Sequence, residues 1–364
     1  MKIIKEGAAE ILVPNKSLTR KSEAFYNPEM EHQRDLTVSA LRVYRHSAGK
    51  KLSVCDPLAG TGVRSIRIAK EVGGIEKMVI NDINPRAFRL IKRNVKINGL
   101  KRGVRVENKN ANLLFLENPR EFDYIDIDPF GSPLNFIFNA GYALKPRSML
   151  ACTATDTGAL CGSFPSTCFS RYGIMAMKTD FFKETGIRVL ITATMSGLAR
   201  HGLAFSPVFS HANHYFRVFG FARRSRSALS RQAGQTRLLA YCRSCCYRSF
   251  EVAAKCPACG RRLDLLGPIW TGKIKDTAFC GSMLEDLASV NYRSTRELRT
   301  CLKEIDEPFY YDVHSMCRVT KKTPGKIDYI MEKLQNQGHA ASRTHLSDTG
   351  IKTDASYKEF IKIL

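Results

Sequence analysis

Leu52-Ser53-Val54-Cys55-Asp56-Pro57-Leu58-Ala59-Gly60-Thr61-Gly62-Val63-Arg64-Ser65-Ile66 is the stretch that decides the fold. Leu52 to Cys55 has strand character. A glycine-punctuated loop follows, then an amphipathic stretch from Val63 to Val72 with Ile66 and Ala69 facing inward. Strand, loop and helix in that order place the loop at the carboxyl end of a strand in an open sheet. There Gly60 and Gly62 let the backbone approach a ligand with no Cβ in the way. The next predicted strand, Met78-Val79-Ile80, ends near Asp82, where an acid can hold ribose hydroxyls.

Working outward, a helix is expected over Glu31 to Arg45, with Leu36, Ala40 and Leu41 on one face, and another carrying Phe88, Ile91 and Val95. Val104 to Val106, Tyr124 to Asp128, Met149 to Thr153 and Ile187 to Thr192 read as further strands. This alternation predicts βαβ units in a mainly parallel sheet. The Tyr215 to Phe221 run is expected to close that sheet, and residues 1 to about 35 read as a polar lead-in. Composition shifts at Ala222 into Arg223-Arg224-Ser225-Arg226-Ser227, which reads as a linker. The expected division is therefore 1–222 and 223–364.

Charge narrows the partners. The chain holds 57 basic and 34 acidic residues, a net charge of +23, which would self-repel without a polyanion such as nucleic acid. No apolar run is long enough to span a bilayer, and Met1 to Gly7 lacks the apolar stretch of a secretion signal, so a cytoplasmic address is expected. No stable protein partner is evident. Of 12 cysteines, most are scattered singly, whereas Cys242-x₂-Cys245 and Cys256-x₂-Cys259 form two pairs of knuckle spacing at about 240–262. Four thiolates in that pattern suit a closed, structural Zn²⁺ site. Cys246 could replace Cys245 as a ligand on sequence alone.

Which nucleotide-type cofactor the loop holds depends on its charges. Ser65 stands where a dinucleotide fingerprint has its third glycine, and Asp56 would repel a pyrophosphate but tolerate a sulfonium or amino group. S-adenosylmethionine fits better than NAD. Arg64 or Arg34 could supply a cation for its carboxylate, although Arg64 alone reads as a solvated helix-face residue. Asn110 and Ala111, after the third strand, can flank adenine or form a plain loop. Asp128-Pro129-Phe130 ends the Tyr124 to Ile127 run. Asp128 alone reads as a cap for the helix that Gly131-Ser132-Pro133 would start. With a rigid Pro129 and the aromatic face of Phe130 it suits a planar base bearing an exocyclic amine. Phe25 either completes an aromatic sandwich around a flipped base or fills the core. No cysteine is placed as a nucleophile for carbon methylation, Cys168 being the weak candidate.

Several strings together resemble the archaeal tRNA guanosine-26 N2-dimethyltransferase family over essentially the whole chain. They are Phe25 to Met30, His32-Gln33-Arg34-Asp35, Asp56 to Arg64, Asp126 to Pro133, Gly267 to Gly272 and Ser342-Arg343-Thr344-His345. The resemblance implies an α/β fold. A Rossmann-like class I S-adenosylmethionine-dependent methyltransferase domain would precede a smaller α+β domain that contains the four-cysteine zinc ribbon and binds tRNA. It implies two methyl transfers to N2 of guanosine 26 in tRNA, with Arg34, Arg64, Asp82, Asn110 and Ala111 lining the cofactor site. Asp128 would be the catalytic carboxylate, Phe25 and Phe130 would hold the guanine, and the four cysteines match the zinc positions. The family often has an acid where Asn110 stands. Other readings of the same residues are an amine methyltransferase for DNA or another RNA, and a non-catalytic zinc-dependent RNA-binding protein.

Overall fold

The structure, a computed structural model, describes residues 1–15, 24–288 and 292–364; residues 16–23 of the expected lead-in lie outside the described residues. The chain opens with a hairpin, β1 (Lys2–Glu6) and β2 (Ala9–Val13), in place of the expected polar lead-in. Ala9, Ile11 and Val13 alternate inward, the period of a half-buried strand. Then follow α1 (Glu31–Ala48), β3 (Leu52–Asp56), α2 (Val63–Glu71), β4 (Ile75–Asn81), α3 (Pro85–Ile97), β5 (Val104–Glu107), α4 (Ala111–Leu116), β6 (Phe122–Ile127), α5 (Leu134–Ala143) and β7 (Leu144–Ala154). The helices α6 (Thr157–Leu160), α7 (Pro165–Tyr172) and α8 (Phe182–Ala199) lead to β8 (Leu203–Ala212) and β9 (Phe216–Arg224).

These strands form a seven-stranded sheet in the order β5-β4-β3-β6-β7-β9-β8. β5, β4, β3, β6 and β7 are parallel, and β9 runs antiparallel to both of its neighbours. The order reverses between β3 and β6. Loops on either side of that reversal diverge at the carboxyl edge and open the crevice in which such sheets bind ligands.

Two expectations are corrected. Ile187 to Thr192 is not a strand but the middle of the 18-residue α8. Nearly every residue from Glu184 to Met195 is buried, so no polar face reveals the helical period and the β-branched run mimics a core strand. Likewise the Tyr215 to Phe221 run does not close the sheet: β9 lies inside it, and β8 forms the edge.

The remainder comprises α9 (Arg226–Gly234), β10 (Thr236–Tyr241), β11 (Arg248–Ser249), β12 (Asp264–Trp270), α10 (Thr277–Leu287), α11 (Tyr292–Lys303), β13 (Tyr311–Asp312), α12 (Val313–Thr320), α13 (Ile327–Asn336), β14 (Ala341–Thr344), β15 (Ser347–Thr353) and α14 (Tyr357–Ile363). Two three-stranded antiparallel sheets organise it, β11-β10-β12 and β13-β15-β14. These elements share the core of the preceding ones. Phe279, Cys280, Met283 and Leu287 of α10 pack in one apolar cluster with Leu36, Ala40, Leu41 and Tyr44 of α1. A buried charge network fastens the other side: Glu184 of α8 pairs with Arg188 (2.7 Å) and accepts from the Phe309 backbone N–H (2.8 Å). Lys352 of β15 reaches Glu304 at 2.8 Å. Among the described residues no helix is long and apolar enough to cross a membrane.

Candidate active site

The β3–α2 loop is laid over the end of β4. Gly60 N–H donates to Asp82 Oδ2 (2.8 Å), Ala59 N–H to the Asn81 carbonyl (2.9 Å), and Asn81 Nδ2 to the Pro57 carbonyl (2.9 Å). Both predicted glycines sit at positive φ, +58° for Gly60 and +78° for Gly62. A Cβ on Gly60 would lie 2.9 Å from the Phe25 carbonyl oxygen, so the segment carrying Phe25 closes directly on this loop. Asp82 turns its other oxygen to the Asn84 N–H (2.8 Å), and burial raises its pKa. Each of its oxygens thus keeps acceptor capacity for a hydroxyl. Asn110 is exposed and caps α4 by accepting from the Asn112 N–H (2.9 Å), while Ala111 is buried behind it.

At the end of β6 the side chains at 124, 126 and 128 share one face, as strand alternation requires. Asp126 is wholly buried and gripped by the Arg217 fork, Nη1 to Oδ1 at 3.0 Å and Nη2 to Oδ2 at 2.6 Å, with the Tyr124 hydroxyl donating at 2.6 Å. Burial opposes its ionisation, but Arg217 and Arg64 outweigh that and hold its pKa below the usual range. Arg64 is therefore no solvated helix-face residue. It is buried, pairs through Nη2 with Asp128 Oδ2, and donates to Gln33 Oε1 (2.8 Å) and Thr37 Oγ1 (3.0 Å). Asp128 itself is only 14% exposed. Asp56 accepts from the Ser65 hydroxyl at 2.7 Å; burial, then the neighbouring Asp126, push its pKa up to about 7. Ser65, in the place of a third glycine, holds this acid.

Phe25 and Phe130 meet edge to face, ring centroids 4.9 Å apart, and Phe130 remains 46% exposed. Pro129 separates that ring from the carboxylate. The structure thus gathers Phe25, Asp128, Pro129, Phe130 and Arg64 at the crevice, beside the loop that carries Asp56, Gly60 and Gly62 and engages Asp82. Arg34 is committed elsewhere: its guanidinium forks onto Glu6 of β1 at 2.5 Å, and Glu6 also accepts from Arg67 (3.2 Å) and the Tyr26 hydroxyl (3.0 Å). Sequence reasoning missed Asp126, Arg217, Gln33 and Thr37. Two acids spaced by two on one strand, and an arginine inside an aromatic strand, were the signals for the first pair. The link between His32, Glu297 and His211 (3.1 and 2.6 Å), which ties α11 to α1 and β8, had no local signal.

The four knuckle cysteines converge. Cys242 and Cys259 Sγ lie 3.5 Å apart, Cys245 and Cys256 Sγ 3.6 Å apart, and all four ligand atoms fall within 4.8 Å of one another. A tetrahedron with Zn–S bonds of about 2.3 Å has edges of about 3.8 Å, so the set fits Zn²⁺. The two knuckles match: Cys246 and Gly260 each follow the second cysteine at positive φ, and their N–H groups donate to the Cys242 and Cys256 carbonyls at 2.8 Å. Cys246 therefore occupies the turn position, and Cys245 faces the cluster. Cys256→Ser is expected to reduce bound zinc from about one per chain to well below half after dialysis, by elemental analysis.

The chain is similar to known proteins over essentially its whole length. Residues 7–364 match the family described as N2,N2-dimethylguanosine tRNA methyltransferase. The chain is 35% identical over 375 residues to a tRNA (guanine(26)-N(2))-dimethyltransferase of Methanosphaera stadtmanae, covering 100% of this chain and 96% of that protein. It is 36% identical over 375 residues to the protein of the same name from Methanopyrus kandleri, again covering 100% and 96%. Among solved structures it is similar to Trm1 from Pyrococcus horikoshii in complex with S-adenosyl-L-methionine, with a TM-score of 0.88, 29% identity, and coverage of 100% and 99%.

Proposed function

The chain belongs to the N2,N2-dimethylguanosine tRNA methyltransferase family, and from that membership we infer that the β3–β6 crevice dimethylates N2 of guanosine 26 in tRNA, using S-adenosylmethionine. What favours this crevice is the meeting of Asp128 with the Phe25–Phe130 pair beside the glycine loop. The donor set suits the cofactor: an acid for ribose at Asp82, a tight loop at Gly60 to Gly62, and Asp56 near a positive centre. Arg64 is the cation proposed for its carboxylate, Arg34 being paired with Glu6, with Asn110 and Ala111 on the adenine side. When bound, the cofactor supplies an electrophilic methyl group on a sulfonium.

The protein's own residues do the rest. Phe130, with Phe25 packed edge-on against it, offers its open face to a flipped guanine, and Asp128 accepts from the exocyclic amine. Its Oδ2 is taken by Arg64, which leaves Oδ1 to face the amine. Accepting that N–H localises the nitrogen lone pair toward the methyl group. Fixing the acceptor on a rigid strand end supplies most of the rate through orientation. The segments after β9, with their basic zinc ribbon, are the proposed tRNA-binding part, and the cytoplasm the proposed location.

Incubating the protein with labelled S-adenosylmethionine and unmodified tRNA, then analysing nucleosides, is expected to yield dimethylguanosine. A tRNA with adenosine at position 26 is expected to take up no label at that position. Dimethylguanosine absent from the first reaction refutes the assignment.

Asp56 adds a pH dependence. An arriving cation favours its ionised form, so cofactor affinity is expected to rise from pH 6 to 8, at most about tenfold per unit, and then level. Asp56→Asn should flatten the curve in calorimetric titration. For the ligand-free fold the sign is opposite. The folded pKa lies above the ordinary 3.8, so the contribution present below about pH 4 is lost as pH rises through about 7.

A further inference from the structure

The helix α3 carries basic residues at Arg86, Arg89, Lys92, Arg93 and Lys96, and no acid. With about 3.6 residues per turn, these side chains fall within an arc of about 120°. All of them are exposed, while Ala87, Leu90, Ile91 and Asn94 occupy a separate, buried arc. Arg86, Arg89 and Arg93 also border one hollow of about 190 Å³, together with Leu90 and Met1.

This face is electrostatically uncompensated. Arg89 and Arg93 stand four apart and repel each other, as do Lys92 and Lys96, and Arg86 sits in the first turn, at the positive end of the helix dipole. Acids relieve such strain elsewhere: every other helix with three or more basic residues, α1, α2 and α11, carries at least one. Among the described residues none of the α3 cations has a carboxylate partner, and Lys92 instead lies over the Phe88 ring, 5.4 Å from its centroid.

The stripe starts at the crevice. Arg86 lies four residues past Asp82, at most about 14 Å along the chain. Between them Asn84 donates its N–H to Asp82 and caps α3 by accepting from the Arg86 N–H (3.0 Å). On the inner face of the helix, Ala87 and Leu90 pack with Ala24, the neighbour of Phe25. From Arg86 to Lys96 the helix rises about 15 Å, the axial run of about four phosphates on one strand.

We propose that this face of α3 grips the phosphodiester backbone of the tRNA beside the extruded guanosine, holding the substrate on the β4 side of the crevice. The proposal rests on the function assigned above. Guanidinium groups with no counter-ion engage phosphates without first breaking an ion pair, and each contact releases condensed counterions from the RNA. Extruding a base pulls on its backbone, and a grip on that backbone next to the segment carrying Phe25 resists the pull.

The test titrates the full chain with tRNA across a salt series. Arg86→Gln/Arg89→Gln/Arg93→Gln should weaken binding by roughly 10–100-fold at about 0.1 M salt and make the log–log salt slope shallower by about 2 to 3. S-adenosylmethionine affinity should not change, and the melting temperature should stay level or rise as like-charge repulsion is relieved. Arg86→Lys/Arg89→Lys/Arg93→Lys keeps the charges and should keep affinity and slope. Lys51→Gln/Lys101→Gln/Arg102→Gln removes as many charges at the amino edge of the sheet, away from the crevice, and should bind like wild type. Wild-type affinity and slope in the α3 glutamine variant overturn the grip, as does an equal loss in the amino-edge variant. So does a lysine variant as weak as the glutamine one, or a glutamine variant that melts lower or loses the cofactor. These outcomes, with a wild type that methylates tRNA, sink the α3 contact alone. A wild type that forms no dimethylguanosine sinks the underlying function.

Discussion

Asp128→Ala is expected to lower the single-turnover rate of methyl transfer to tRNA by about 10²–10⁴-fold, while tRNA and cofactor affinities change only a few-fold. The amine of guanine is a poor nucleophile because its lone pair is delocalised into the ring. Only an acceptor fixed at its N–H draws that pair toward the methyl group, and Asp128 is the carboxylate standing beside Phe130 at the end of β6. The substitution should leave the fold intact, because Arg64 keeps Gln33, Thr37 and, at 3.6 Å, Asp126. Asp128→Asn retains one acceptor oxygen and should fall between wild type and alanine. The rate is read from labelled methyl incorporated with enzyme in excess, beside thermal melts of each variant. Equal rates in all three proteins would place the acceptor on another residue.

Arg217→Leu should cost about 3–5 kcal/mol of stability, read as a lower denaturant midpoint. Arg217 and Asp126 are both 0% exposed, and the guanidinium fork is the main compensation for a carboxylate far from water. It also donates to Thr153 (2.7 Å) and Thr37 (3.1 Å), which line the same face. Removing it leaves Asp126 with the Tyr124 hydroxyl and a longer contact to Arg64. Adding Asp126→Asn to Arg217→Leu removes the stranded charge and should recover part of the loss. A single-variant cost under about 1 kcal/mol would mean that water reaches this pair.

The sequence was informative where a local rule operates. Gly60 and Gly62 lie where a strand meets a helix, and both adopt the left-handed backbone their residue type permits. Asp56, Asp82 and Asp128 lie at strand ends because apolar runs stop there. The knuckle cysteines converge because short spacing ties each pair together. It misled at α8, whose burial on almost every face erased the helical period, and at β9, which pairs with β7 on one side and β8 on the other and so leaves the edge to β8.

Taken by itself, then, the chain determined which chemical groups stand at the carboxyl edge of the sheet and that a polyanion is their partner, because those facts are written in short-range pattern and total charge. Tertiary structure alone decided how the charges are shared. Arg34 goes to Glu6, Arg64 to Asp128, and Arg217 to Asp126 across 91 residues. Each pairing joins groups remote along the backbone, and a buried ion takes whichever counter-ion the packing brings within hydrogen-bonding distance.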